Sequence, residues 1–199
     1  MSARDAALDE LAEALWRDEV VALPTDTVYG LAVRAASPDA AAALFAVKRR
    51  PDRVALPVLV ADLAQALELA ELPVDALGAL ARRFWPGPLT LVVRRARHVV
   101  LHLGGDETTI GLRCPQSPVL RALATEVGPL AVTSANLHGD RPCTSAQEVR
   151  AAFGPALRVL DGGRCDARPS SVVSLLDERP ELLRPGPVTL AEVLAALRG

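Results

Sequence analysis

The sequence predicts a single α/β domain in which a mixed β-sheet is surrounded by helices. The chain has 199 residues, of which 50% are hydrophobic and 23% charged, a balance that is typical of globular proteins and excludes a disordered chain. Short apolar strands and helices follow one another without strict alternation, which favours a mixed sheet over a purely parallel one. Neither a repeat nor a flexible linker divides the pattern, so we expect one domain over residues 1–199.

Apolar spacing and capping residues predict the individual elements. Residues 3–16 have helical apolar spacing, and residues 19–23 form a short apolar run that Pro24 ends. Ser37-Pro38 opens a helix, because serine caps the first turn and proline fits its first position. The predicted helices cover residues 3–16, 37–48, 73–84 and 117–127, and three more begin near Asp62, Ser145 and Thr189. The predicted strands cover residues 19–23, 56–60, 89–94, 108–113, 130–133, 157–160, 171–175 and 181–183.

Composition bounds the partners and the compartment. The chain has 22 basic and 24 acidic residues and a net charge of −2, so a polyanion would need a local basic patch. No apolar run approaches the ~20 residues that span a bilayer, and no apolar segment follows the N-terminus, so we expect a cytoplasmic protein without a membrane partner. Cys114, Cys143 and Cys165 lack metal-ligand spacing, which argues against a disulfide scaffold and against a zinc site.

Three of the residue types that occur only once lie in polar segments. They are the lysine Lys48, the asparagine Asn136 and the tyrosine Tyr29. A compact ammonium reaches a phosphate differently from a guanidinium, and an amide both donates and accepts hydrogen bonds. Lys48 and Asn136 are therefore candidate functional residues, with chance survival of a rare residue type as the alternative.

Two candidate binding loops lie in the first quarter of the chain. Pro24-Thr25-Asp26-Thr27-Val28-Tyr29-Gly30-Leu31 directly follows a strand, and we expect Thr25 and Thr27 to point to the same side of a pocket while Gly30 bends the chain. The alternative is a polar turn with the tyrosine as a lid. Lys48-Arg49-Arg50-Pro51-Asp52-Arg53 places four cations after a helix; a lysine and an arginine suit a triphosphate, and compensation of the helix dipole is the alternative.

Further polar side chains follow later strands. Ser134 and Asn136 are expected to face one side, where a hydroxyl and an amide can hold phosphate oxygens or a metal-bound water; an Asx turn is the alternative. Thr109 and Arg113 share a face of their strand. Burial of that arginine requires an anion, which is either a protein carboxylate or a ligand carboxylate.

The motifs that the chain lacks also constrain the chemistry. It contains no P-loop, no nucleophile elbow and no cysteine nucleophile motif, which excludes P-loop enzymes and disfavours covalent catalysis. A reaction that needs only positioning and charge neutralisation fits the residues better, and transfer of a nucleotidyl group from ATP is such a reaction.

Five motifs, in this order, resemble those of the YrdC-like threonylcarbamoyl-AMP synthase family. They are Pro24–Leu31, Lys48-x-Arg50, Trp85-Pro86-Gly87-Pro88-Leu89-Thr90, Ser134-x-Asn136 and Leu183-Arg184-Pro185-Gly186, and the resemblance covers about residues 8–198. It implies a twisted mixed sheet with a basic concave face, in the short, single-domain form of the family. It also implies conversion of L-threonine, bicarbonate and ATP to threonylcarbamoyl-AMP and pyrophosphate, for the threonylcarbamoyl modification of an adenosine in tRNA.

The resemblance further implies roles for individual residues. The residues expected to act in catalysis and to hold the ATP phosphates are Lys48, Arg50, Ser134 and Asn136. Those expected to complete the ATP site are Thr109, Thr144 and Arg184. Those expected to hold threonine are Thr25, Thr27, Arg113 and Ser170, with Arg113 as the partner of its carboxylate. Mg²⁺ would be held mainly by the nucleotide phosphates, without a metal site built by the chain. The implied partners are tRNA or double-stranded RNA and the proteins of the later threonylcarbamoyl transfer.

The chain departs from the family pattern at two places. Many members carry Lys or Asn and then Pro where this chain has Val54 and Ala55, and some carry His where it has Leu59. Arg53 is the candidate replacement for the first contact. Two alternatives stay open: a non-catalytic RNA-binding protein or translation factor that uses the arginines near positions 82–83 and 94–97, and a carbamoyl-adenylate enzyme like the corresponding domain of hydrogenase maturation factors.

Overall fold

The computed structural model describes residues 3–49, 54–71, 73–137, 139–165 and 168–198. Within these residues the chain forms seven helices and nine strands, and every predicted helix and strand is present. The helices are α1 (Ala3–Trp16), α2 (Pro38–Lys48), α3 (Leu63–Leu69), α4 (Val74–Phe84), α5 (Pro118–Val127), α6 (Ala146–Phe153) and α7 (Leu190–Ala196). The strands are β1 (Val21–Pro24), β2 (Tyr29–Arg34), β3 (Val58–Leu59), β4 (Leu89–Arg94), β5 (Thr109–Arg113), β6 (Leu130–Ser134), β7 (Arg158–Val159), β8 (Ser171–Ser174) and β9 (Glu181–Arg184).

All the strands described belong to one mixed sheet, in the order β7-β1-β2-β6-β3-β5-β4-β8-β9. The pairs β1/β7, β3/β5 and β4/β8 are parallel, and the other neighbouring pairs are antiparallel. This confirms the predicted α/β class with a mixed sheet. Strands β3 and β7 are shorter than predicted. Leu56, which lies two residues before β3, does not join the strand ladder, because its amide donates to Leu103 O at 2.8 Å.

Strand β2 is the element that the sequence analysis missed, because its first half was interpreted as a polar loop. Tyr29, Leu31 and Val33 alternate with residues of the opposite face, and all three are fully buried. Gly30 does not bend the chain: it pairs with both β1 and β6, and a Cβ there would lie 2.9 Å from the Val132 side chain. Tyr29 is therefore a core residue and not a lid, which corrects that alternative.

The predicted caps explain where most helices begin. The side chains of Ser37, Asp62, Ser117, Ser145 and Thr189 each accept a hydrogen bond from a backbone N–H in the first turn of their helix. Such a cap contributes about 1 kcal/mol to the free energy of unfolding, because it satisfies a helix N–H that has no partner within the helix.

The two faces of the sheet are covered to different extents. One apolar cluster joins the sheet to helices α2, α3, α4, α6 and α7. The second cluster joins the opposite face to α1 and α5, which also contact each other. Leu59 and Val132 lie at the border of this second cluster and line the cavity described below. The part of that face beyond α1 and α5 is thus left open as a cleft.

Two expectations from composition can be compared with the fold. Cys114, Cys143 and Cys165 are all buried free thiols. Among the described helices none combines the length and the apolar character that crossing a bilayer requires.

Candidate active site

A cleft formed by two adjoining cavities crosses the open face of the sheet. The first cavity has a volume of about 210 Å³ and the second about 200 Å³, and Pro57, Thr90 and Arg184 line both. Most of the polar side chains line the first cavity, where the lining includes Thr27, Arg113, Ser134 and Ser170. The second is walled mainly by apolar side chains, namely Leu56, Val92, Leu103, Ile110 and Val172. The cleft is therefore divided into a polar half and an apolar half.

The turn between β1 and β2 forms one edge of the polar half. The Thr25 Oγ1 atom accepts hydrogen bonds from the Thr27 and Val28 amides at 2.9 and 3.1 Å and donates to Val28 O at 2.7 Å. It also lies 2.8 Å from Thr27 Oγ1. Both predicted threonines line the cavity, but the Thr25 hydroxyl is engaged in the turn, whereas the buried Thr27 hydroxyl faces a cation.

That cation is Arg113, the last residue of β5, which is 5% exposed. Its guanidinium donates from Nε to Gly87 O at 2.9 Å and from NH1 to Thr27 Oγ1 at 3.3 Å. Its NH2 atom lies 2.7 Å from the Asp26 carboxylate. Burial lowers the pKa of Arg113 from its ordinary value, and the charge of Asp26 acts in the opposite direction. Of the two anions considered from the sequence, the structure shows the protein carboxylate.

A second cation, Arg184, stands where the two cavities meet. Its Nε donates to Ser170 O at 3.0 Å and its NH2 to Ser170 Oγ at 2.9 Å, while Ser170 Oγ lies 2.9 Å from Thr90 Oγ1. Burial lowers the pKa of Arg184, and the positive charge of Arg113 lowers it further. Two guanidinium groups that repel each other across a cavity favour the binding of an anion between them.

Lys48 and Asn136, which are both expected to hold the ATP phosphates, are neighbours in the structure. The Lys48 ammonium, at the end of α2, donates to Asn136 Oδ1 at 2.8 Å, to Asn136 O at 3.1 Å and to Ser134 O at 2.6 Å. The ammonium is buried under the end of β6, and its residue is 2% exposed. It therefore holds the segment that follows β6, and Ser134 is the member of this trio that lines the cavity.

Both polar atoms of the Asn136 side chain are engaged inside the protein. Its Oδ1 atom accepts from Lys48 and from Ser134 Oγ, the latter at 2.6 Å. Its Nδ2 atom donates to Leu137 O at 2.9 Å and to Asp140 O at 2.7 Å. The Nδ2 bonds fix the backbone after β6, and Oδ1 accepts the Ser134 hydroxyl, so the amide orients Ser134 in the cavity wall.

The remaining residues that were predicted to bind the nucleotide do not all line the cleft. Thr109 lines the apolar half of the cleft, and its hydroxyl donates to Asp106 O at 3.2 Å. Thr144 lines neither half of the cleft. Its hydroxyl and its amide both donate to the Glu148 carboxylate at the start of α6. Arg50 lies outside the described residues.

Three contributors were not assigned a role from the sequence. Thr90 bridges the two halves, Gly87 supplies a carbonyl to Arg113, and Asp26 supplies its counter-charge. Asp26 and Gly87 lie inside motifs that were already singled out, so the motifs indicated the right segments. Their partners in β5 are distant along the chain, and local sequence cannot reveal such pairings.

The close approach at Gly186 gives a stability prediction. A Cβ atom there would overlap the Ser171 amide nitrogen and lie 2.7 Å from Pro169 O, both of which are backbone atoms. We expect G186A to lower the free energy of unfolding by about 1–3 kcal/mol, since a tightly packed site accommodates an added methyl group only by a backbone shift. Urea unfolding measures this.

The control for that experiment is G78A in α4. An added Cβ would meet only the flexible end of the Arg82 side chain there, so this variant should be neutral or stabilising, by up to about 1 kcal/mol. Equal stability of the two variants would contradict the packing argument.

The chain is similar to known proteins over most of its length. The Sua5/YciO/YrdC family model, described as "Telomere recombination", matches residues 13–186. A Bacillus subtilis (strain 168) threonylcarbamoyl-AMP synthase is 35% identical over an alignment that covers 99% of this chain and 58% of the relative. A Mycobacterium tuberculosis (strain CDC 1551 / Oshkosh) protein with the same name, given provisionally, is 39% identical over 91% of this chain and 86% of the relative.

A solved structure shares both fold and sequence. The crystal structure of Pyrococcus abyssi Sua5 complexed with L-threonine superposes with a TM-score of 0.89 at 33% identity, covering 96% of this chain and 57% of that one. The chain thus spans somewhat more than half the length of the longer relatives. The family match, the identity and the superposition agree, and the chain belongs to the Sua5/YciO/YrdC family.

Proposed function

We propose that this protein is an L-threonylcarbamoyladenylate synthase, which makes threonylcarbamoyl-AMP and pyrophosphate from L-threonine, bicarbonate and ATP. The observation that carries the proposal is the divided cleft, in which Arg113 and Arg184 line a polar half and Arg184 also borders an apolar half. The synthase names of the relatives and the threonine complex of the Pyrococcus neighbour support it. The single domain proposed for residues 1–199 would suffice for this reaction.

The cleft suits an amino acid in its polar half. The Arg113 guanidinium would bind the threonine carboxylate, because it is a permanently charged group that lines the polar half and is held in a fixed orientation. The hydroxyls of Thr27 and Ser170 lie beside the two arginines and would hold the rest of the amino acid, with Thr25 shaping the turn. Leu59 gives this half an apolar wall where some family members carry histidine.

The nucleoside and the phosphates would occupy the other parts of the cleft. The apolar half, with Thr109 at its rim, suits the adenosine, and Arg184 stands between that half and the amino acid. Arg50 would bind the phosphates, and the Ser134 hydroxyl would donate to a phosphate oxygen in exchange for its bond to Asn136 Oδ1. Lys48 and Asn136 would act through Ser134, because their side chains are bonded to it and to the backbone that follows it. Thr144 would act on the nucleotide site without contacting it, by holding the loop before α6 through its hydrogen bonds to Glu148.

The chemistry needs positioning and charge, which this site supplies. The threonine amine first combines with bicarbonate to give a carbamate and water. A carbamate oxygen then attacks the α-phosphorus of ATP, so that a new P–O bond forms while the α–β bridging bond breaks and pyrophosphate leaves with the electron pair. Because both reactants are anions, fixed guanidinium groups in a partly dry cleft lower the barrier more than they would in water.

Magnesium would enter with the nucleotide. The described residues gather no group of three or more carboxylate, imidazole or thiolate side chains, and the polar half of the cleft offers hydroxyls and cations. Such a donor set does not fit a Mg²⁺ ion held by the protein, whereas phosphate oxygens are good ligands for it. We therefore assign no step to a protein-bound metal.

The product defines the further partners that we propose. Threonylcarbamoyl-AMP is a reactive mixed anhydride that a transferase must use, and the acceptor would be tRNA in the cytoplasm. The exposed arginines at 94 and 97 do not by themselves favour RNA binding, because Glu71 and Glu107 line the same groove. RNA binding by a non-catalytic protein therefore remains the second candidate.

Pyrophosphate release separates the candidate functions. The assay contains ATP, Mg²⁺ and bicarbonate at low salt, with and without L-threonine, and we expect release to depend on L-threonine. Release with carbamoyl phosphate and no threonine would instead indicate a carbamoyl-adenylate enzyme. Absence of turnover together with salt-sensitive binding of double-stranded RNA would overturn the synthase assignment in favour of the RNA-binding candidate.

A further inference from the structure

The Asp26 carboxylate stands behind the arginine that would bind the substrate carboxylate. Its Oδ1 atom is 2.7 Å from Arg113 NH2, and the two side chains are 12% and 6% exposed. Asp26 lies in the turn between β1 and β2, and it is absent from the residues that line either half of the cleft. It therefore contacts the guanidinium from outside the cleft.

Three groups together fix the orientation of the Arg113 guanidinium. Gly87 O accepts from Nε, Thr27 Oγ1 accepts from NH1, and Asp26 carries the charge beside NH2. Asp26 lies 2.7 Å from NH2, an atom that has almost no exposed surface, so this contact anchors the buried side of the guanidinium. With that side held by Asp26, the position of the whole planar group is set relative to the cleft that Arg113 lines.

The positive charges of Arg113 and Arg184 also require a carboxylate near them. Arg113 and Arg184 are close enough for the charge of one to affect the other, and Arg184 has no carboxylate partner among the described residues. Asp26 is the acidic residue that pairs with Arg113 in the described part of the chain. Without Asp26, the two partly desolvated guanidinium groups of Arg113 and Arg184 would repel each other. The Arg113 side chain would then leave its orientation and turn towards water.

We propose that Asp26 is the positioning residue of the amino-acid site: as a built-in counter-ion it holds the Arg113 guanidinium in the orientation that binds the substrate carboxylate. This inference rests on the proposed function. The inference goes beyond the proposed function because it assigns recognition of the amino-acid carboxylate to the pair Asp26 and Arg113. Of these two residues, only Arg113 touches the substrate. Asp26 acts on the amino acid through Arg113 and leaves the nucleotide site unaffected.

The first test compares the Michaelis constants of the two substrates. We expect D26N to raise the KM for L-threonine by at least about tenfold while the KM for ATP stays within about twofold, because only carboxylate binding depends on Arg113. D26E keeps the charge but displaces it by one methylene group, so it should fold and still raise the KM for L-threonine. The matched control is D75N, an exposed aspartate in the first turn of α4, and its constants should not change.

Three results would overturn the proposal. One is an unchanged KM for L-threonine in both D26N and D26E. Another is an equal rise in both Michaelis constants, which would indicate a general structural role. The third is a lower KM for L-threonine in D26N, which would make Asp26 a competitor of the substrate for Arg113.

A second measurement does not depend on turnover. Calorimetric titration with L-threonine should show weaker binding to D26N, whereas titration with a non-hydrolysable ATP analogue should be unchanged. In urea unfolding, the D26N/R113Q double variant should lose less stability than the two single variants added together, because each single change removes the same contact. Additive losses would overturn the pairing.

These readouts separate the two claims. If the unaltered chain releases no pyrophosphate with threonine but still binds L-threonine through the coupled pair, the proposed synthase activity fails and the role of Asp26 stands. If pyrophosphate release depends on threonine but D26N leaves L-threonine affinity unchanged, the role of Asp26 fails alone.

Discussion

Replacing Arg113 with glutamine should abolish most of the threonine-dependent release of pyrophosphate. We expect a fall in kcat/KM for L-threonine of about 10²- to 10³-fold, because truncating one member of a buried, hydrogen-bonded charge pair costs roughly 3–4 kcal/mol. The residue is 5% exposed, so solvent does little to screen the lost charge. Initial rates at several threonine concentrations measure the effect.

The same substitution should also destabilise the fold. It leaves the Asp26 carboxylate without its cation, and breaking a buried pair in this way costs about 3–5 kcal/mol. Urea unfolding therefore has to accompany the kinetics. The matched control is R97Q, since the Arg97 side chain is 91% exposed and makes only a long ion pair with Glu71. Full threonine-dependent activity in R113Q would refute the carboxylate assignment.

Replacing Lys48 with methionine should lower kcat/KM for ATP by about 10²-fold, equivalent to ~3 kcal/mol of barrier, by comparison with the loss of one preorganised donor. The physical reason is indirect. Methionine fills the volume of the lysine but removes the donor that Ser134 O, Asn136 O and Asn136 Oδ1 share. Ser134 O keeps the Asn136 amide and Asn136 Oδ1 keeps the Ser134 hydroxyl, and an acceptor left unsatisfied when buried costs about 1–3 kcal/mol. The segment after β6 would then move, and Ser134 with it.

Steady-state kinetics with ATP as the varied substrate measure this effect. The control is R49N, which removes the neighbouring exposed charge at a left-handed backbone position that asparagine tolerates. R49N should retain activity within about threefold, as expected for an exposed surface substitution. If K48M also retained activity, the segment after β6 would not need its ammonium, and the assignment of Ser134 to the phosphates would lose its support.

The two arginines show how the sheet builds a site from separate segments. Arg113 ends β5, whereas Arg184 ends β9, and β4 and β8 lie between these strands in the sheet order. Thr90 of β4 and Ser170, next to β8, fill the space between them with a hydroxyl pair at 2.9 Å. The site therefore depends on strand order as much as on the residues themselves.

Local sequence was informative wherever local forces dominate. Serine, threonine and aspartate caps marked the starts of helices, since a cap satisfies backbone N–H groups within a few residues. Apolar runs located strands, and the single lysine and asparagine drew attention to the two segments that meet in space. The inference failed at β2, where hydroxyl residues before Tyr29 concealed a strand that is buried on both faces.

The sequence by itself determined the α/β class, the positions of most elements and the family, because these follow from periodicity, capping chemistry and motifs that are read along the chain. Tertiary structure alone decided which side chains meet. It paired Arg113 with Asp26 and enclosed the Lys48 ammonium between Ser134 and Asn136. It also left Thr144 away from the cleft. The reason is that ion pairs and buried hydrogen bonds depend on distances of a few ångströms between segments far apart in sequence, and only the order and register of the strands set those distances.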